Sequence, residues 1–116
     1  FLDCASSLDD PLSVYGMAAA DKVVQLVTPD IRSAAYYASF EKTYEQIKGK
    51  SIGVINITDK DLYLPVGEVK AGFSNAKYIL PYSMYLKQQY ITGELTQKIP
   101  DQKFSAVCRG IAGAVL

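Results

Sequence analysis

The sequence predicts a small α+β domain in which helices pack on a two- to three-stranded antiparallel sheet and one disulfide ties the termini. Three observations carry this. A chain of 116 residues supports one core, and no linker, repeat or low-complexity stretch divides residues 1–116. The hydrophobic period changes from helical to alternating after Gly49 and returns to helical after Pro100. The only two cysteines, Cys4 and Cys108, lie near opposite ends.

Taken in order, Asp9-Asp10-Pro11 marks a helix start: an acidic cap accepts from free amides, and proline loses nothing at the first helical position. Leu8, Leu12, Tyr15, Ala19 and Val23 recur at helical spacing, which extends this helix to about Val27. Thr28-Pro29-Asp30 starts a second helix with a stripe of Tyr37, Phe40, Tyr44 and Ile47, and Gly49 reads as its left-handed stop. Residues 51–57 are rich in β-branched side chains and predict a well-covered strand. A polar turn at 58–61 leads to a second strand over 62–66, which lies at an edge or ends at Pro65 because proline has no amide to donate. Val69, Ala71 and Phe73 alternate as a third strand over 67–73. Residues 78–91 fit either a helix opened by Pro81 and stopped by Gly93 or an extended segment. Pro100 and Asp101 open a final helix with Phe104, Val107, Cys108, Ile111 and Val115 on one face.

Twelve basic and twelve acidic residues cancel, and the lysines are scattered, so nucleic acid has no electrostatic foothold. The absence of histidine excludes His-based triads, His-containing zinc sites and imidazole switches. No cofactor or metal motif is found. A hydrophobic content of 49% against 21% charged residues fits a folded domain and not a disordered one.

A Cys4–Cys108 bond would close nearly the whole chain, a loop of about 100 residues whose entropy model gives ~4–5 kcal/mol. Such a bond persists in oxidising compartments, so the pairing predicts a secreted or periplasmic protein. A start at Phe1 without an initiator Met or signal peptide fits a processed product. Asn56-Ile57-Thr58 is a glycosylation acceptor pattern, meaningful for Asn56 only if a eukaryote exports the chain. The apolar run 110–116 is far short of the ~20 residues that span a bilayer, and its glycines suit tight helix packing.

Fragments of catalytic motifs occur. Gly49-Lys50-Ser51 resembles the tail of a phosphate loop, but Tyr44 stands where that loop needs glycine, and a strand follows where one must precede. Ser39-x-x-Lys42 and Ser74-x-x-Lys77 match a serine nucleophile pattern without its companion elements. Carboxylate chemistry needs no histidine; Asp59, Asp61, Glu68 and Glu94, with the Glu41/Glu45 pair, are the available acids. Asp59 and Asp61 suit a turn, and lack the glycine and glutamate of a calcium loop.

Tyrosine exceeds expectation: nine residues with no tryptophan, more than so small a core can absorb. Tyrosine offers apolar area with a polar tip at low entropy cost, which suits recognition. The expected function is a non-enzymatic exported module that binds a protein partner, as inhibitors, immunity proteins and effectors do. Its expected contact residues are Tyr78, Tyr82, Tyr85, Tyr90 and Tyr36. A carboxylate-dependent glycan hydrolase or glycan-binding domain is the alternative, and a lipid-binding or membrane-active role the third.

Overall fold

A computed structural model describes residues 1–4, 7–61, 64–73 and 75–116. The element order is α1 (Pro11–Ala19), β1 (Val23–Val27), α2 (Ile31–Ser39), α3 (Glu41–Ile47), a 3-10 turn (Lys48–Lys50), β2 (Ser51–Asn56), α4 (Val66–Gly72), β3 (Ala76–Leu80), α5 (Met84–Thr92) and α6 (Gln102–Val115). The strands form one sheet in the order β1-β2-β3. Both pairs are parallel: Val23 opposes Ser51 and Leu26 opposes Val54, while Val54 also opposes Tyr78.

The expected antiparallel sheet is therefore wrong, and the connections explain why. Helices α2 and α3 lie between the first two strands, and α4 between the second and third. A chain that crosses back along a helix re-enters the sheet in the same direction, whereas antiparallel neighbours need only a tight turn. Two misassigned segments hide this pattern. The first helix stops at Ala19 and the β-branched run from Val23 becomes β1, because Ala20 turns extended (ψ 144°). The strand expected over 67–73 is the helix α4 instead. Residues 62 and 63 of the strand expected over 62–66 lie outside the described set, and Pro65 precedes the first turn of α4.

Other boundaries shift less. The second helix breaks at Phe40 (φ −115°, ψ 19°) into α2 and α3. Gly49 lies in the 3-10 turn without a positive φ; Gly93, after α5, carries the left-handed stop at φ 76°. Residues 78–91 split between β3 and α5, with Pro81 at the division. Three helix starts lie where aspartates mark them. Asp10, Asp30 and Asp101 accept from the amides of Ser13, Ser33 and Phe104 at 2.9, 2.9 and 3.0 Å. All three carboxyls sit below the usual aspartate range. For Asp10 the Ser13 hydroxyl contributes most, for Asp30 the Thr28 hydroxyl, and for Asp101 the Phe104 amide.

The expected disulfide is absent as well: Cys4 and Cys108 are both free. Cys4 is exposed, with its sulfur beside Gly16 of α1. Cys108 is half-buried on α6, the helix that packs on β3. The export expectation loses the bond as a support.

The buried apolar residues are Val23, Ile52, Val54, Ile55, Phe73 and Phe104, centred on β2. Strand β1 alternates: Val23 and Gln25 point inward, Val24 and Leu26 outward. Gln25 is buried with neither amide atom hydrogen-bonded among the described residues. Gly53 permits a close backbone approach at the start of β3. Its amide donates to the Asn75 carbonyl at 2.9 Å, and a Cβ there would stand 2.5 Å from that oxygen. The β2–β3 register slips at this point.

Two stability measurements follow from these features. Gly53→Ala must push the start of β3 off β2, and denaturant unfolding is expected to show a loss of ~2 kcal/mol or more. Gln25→Leu replaces an unsatisfied amide with an apolar group of similar length, and the same experiment is expected to show a gain of about 1 kcal/mol.

Candidate functional site

The five tyrosines expected at the contact surface divide into two sets. Tyr36 and Tyr78 serve packing. The Tyr36 hydroxyl accepts from the Leu8 amide at 2.6 Å, and its ring lies 4.8 Å from that of Phe40. The Tyr78 hydroxyl donates to the Gly110 carbonyl at 3.0 Å, with its ring pressed where a Gly110 Cβ would stand. Tyr82 is half-buried ahead of α5. Tyr85 and Tyr90 are exposed, at 47% and 81%.

These last two belong to a larger apolar surface. Met84, Leu86 and Ile91 of α5 are also exposed, as is Leu95 just beyond it. At 100° per residue these side chains circle the helix, so no polar face remains to be turned to water. No residue of α5 is buried. The Gln89 side-chain amide donates to the Gln97 carbonyl at 2.6 Å, tying α5 to the segment after it, and the buried Ser83 stands at its start. The Ser83 hydroxyl lies close enough to Asp101 to help hold that carboxyl down, without completing a full hydrogen bond.

A separate cleft of about 350 Å³ opens at the carboxyl end of β1. It is lined by Val27 and Thr28 after β1, by Ala34, Tyr37 and Ala38 of α2, and by Val69, Gly72 and Phe73 at α4. Tyr37 is held there by a stack on Tyr44 (4.8 Å, 9°) and an edge contact with Phe73 (4.7 Å, 85°). Burial, with Tyr36 and Tyr37 beside it, pushes the Tyr44 phenol up to about 12, so it stays neutral. Glu41 and Glu68 stand exposed at the rim. Thr28 and Ser33 also line the cleft, and their hydroxyls are engaged with each other and, for Thr28, with Asp30.

The other acids do not converge. Glu45 pairs with Lys48 at 3.1 Å, and Asp59 accepts from the Asp61 amide within a turn. Glu94 is exposed beyond α5. The fragments of catalytic motifs find structural uses. Lys50 donates to the carbonyls of Ala18 and Ala20 at 2.6 and 2.8 Å, closing the end of α1. Ser39 donates to the Ala35 carbonyl, and Ser74 lies outside the described residues. Asn56 is half-buried at the end of β2, opposite Leu80. Among the described residues no three of Cys, Asp and Glu gather as metal ligands, and no helix is long and apolar enough to cross a membrane.

Comparison with known proteins gives no match: no family, no curated protein and no solved structure matches this chain. The functional reading therefore rests on the surface itself.

The thiols provide a direct check on the unpaired cysteines. Burial pushes the Cys108 thiol above its ordinary value, against a smaller opposing effect of Arg109. The thiolate is the reactive form, so Cys108 is expected to label slowly at neutral pH and faster as pH rises. Mass spectrometry of alkylated native protein across pH reads this out. In denaturant without reductant, two thiols should titrate; none would restore the disulfide.

Proposed function

We propose that this domain is a protein-binding module that seats α5 in an apolar groove of its partner. The observation that carries the reading is the exposure of Met84, Tyr85, Leu86, Tyr90 and Ile91 on one short helix. Apolar side chains gathered in this way mark interaction surfaces, and tyrosine is enriched among residues that dominate binding energy. A helix with apolar residues around its circumference suits a groove better than a flat face. Charge argues for protein over lipid. Residues 84–92 carry only Lys87, and Glu94 follows, so the segment lacks the basic face by which interfacial helices hold anionic membranes.

Glu41 and Glu68 at one cleft are the observation favouring glycan hydrolysis as a second reading. Both are exposed. A carboxyl that must keep its proton at neutral pH for acid catalysis needs a desolvated setting, so the cleft favours binding over bond cleavage.

The test is a photo-crosslinking amino acid placed at residue 90, with residue 48 as a control, followed by affinity measurement on the identified partner. Tyr85→Ala/Tyr90→Ala is expected to weaken that complex by tenfold or more while leaving the unfolding midpoint nearly unchanged. An unaltered affinity, or equal crosslinking from both positions, overturns the assignment to α5. Flotation of the intact chain with neutral or anionic vesicles would redirect the reading to lipid.

A further inference from the structure

We propose that the cleft at the carboxyl end of β1 binds a small organic ammonium ion with an apolar body. The inference is independent of α5, none of whose residues lines the cleft.

Size sets the ligand class first. A volume of about 350 Å³ is at the lower end of the ~300–1,000 Å³ typical of small-molecule sites, and too small for a folded partner. The walls set the body. Val27, Ala34, Tyr37, Ala38, Val69 and Phe73 present aliphatic and aromatic surface, and the stacked Tyr37 is fixed before any ligand arrives. The site is thus preorganised for an apolar group such as a phenyl or short branched chain.

Charge sets the head group. The cleft is lined by two acids, Glu41 and Glu68, and by no lysine or arginine among the described residues. They come from different elements, α3 and α4, and line the same cleft. Anions are opposed from a second direction. The first turn of α2 opens beside the cleft, and its free amides are the usual attraction for a phosphate or carboxylate. Here Asp30 already supplies a carboxylate to the Ser33 amide and accepts from the Thr28 hydroxyl. An entering anion would meet Glu41 and Glu68 with no lysine or arginine among the described lining residues; an ammonium group would meet the same two carboxylates with its carbon skeleton against the walls.

The test is an amide-resolved NMR titration of the intact chain with 2-phenylethylammonium, matched against 3-phenylpropionate, which has a similar skeleton and the opposite charge. The ammonium ion is expected to shift resonances of Ala34, Tyr37, Val69 and Phe73 saturably at millimolar concentration, and the carboxylate to leave them in place. Glu41→Gln/Glu68→Gln exchanges two exposed charges without changing their size. It is expected to weaken the amine three- to tenfold, as is raising the salt from 20 to 500 mM. The α5 double alanine variant should bind the amine like the parent chain. No cleft shift with the amine, equal shifts with both ligands, or unchanged affinity in the double glutamine variant each overturns the proposal.

Discussion

Pairing on both sides of β2 is the constraint on which the molecule depends. A central strand surrounded by protein must place each amide and carbonyl in a ladder, because water cannot reach them. Ser51 through Ile55 are all buried. Both neighbours run parallel to β2, and parallel neighbours require crossovers, so the helices between strands are obligatory. Their placement leaves the cleft between α2 and α4 and brings Tyr37, Tyr44 and Phe73 into one aromatic cluster. Gly53 is part of the same constraint. The slip in register at the β2–β3 pair needs a residue without a side chain where Asn75 crosses over.

The core that results is thin. Six aliphatic or aromatic side chains among the described residues are buried, while sixteen large apolar residues stand exposed. The radius of gyration, 14.7 Å, exceeds the roughly 13 Å typical of a compact chain of this length. Five of the exposed apolar residues are on α5, five more (Phe1, Leu2, Leu12, Val14 and Tyr15) lie at the amino end and on α1, and Val24 and Leu26 face outward on β1. The hydrophobic content of the chain is therefore divided between holding the sheet together and presenting surface. The two candidate sites use opposite strategies: α5 is convex, apolar and weakly charged, whereas the cleft is concave and acidic at its rim.

What was legible in the sequence was local. Asp10, Asp30 and Asp101 mark helix starts because a cap acts on amides two or three residues away, and β2 is recognisable from its own β-branched run. The sense of the sheet was not legible, because it depends on which segments cross over. Val23-Val24-Gln25-Leu26-Val27 follows an alanine-rich helix at spacings that also fit a helical stripe, so the sequence of β1 is indistinguishable from a continuation of that helix. Val69 and Ala71 belong to a helix of seven residues and Phe73 caps its end, so their alternation is by chance. The cysteine pairing was an argument from position along the chain, and position does not bring Cys4 of the amino-terminal segment to α6. Among the tyrosines, composition could show an excess but not which rings pack. Tyr78 is consumed by Gly110 and Tyr36 by Leu8, while Tyr85 and Tyr90 remain outside. The cleft left no spacing signal, since Glu41 and Glu68 come to line it only through the crossovers.

The Lys50 ammonium and the Tyr78 hydroxyl each bind a carbonyl 32 positions away along the chain. Closing a flexible loop of that length costs about 3 kcal/mol in chain entropy before any constant, more than the ~1 kcal/mol net return of a single hydrogen bond. Neither contact can nucleate the fold. Each becomes favourable after strand pairing has already brought its partners near, so Lys50 and Tyr78 act as latches on a nearly finished chain. Their loss should show chiefly in the rate of unfolding, with the rate of folding little changed.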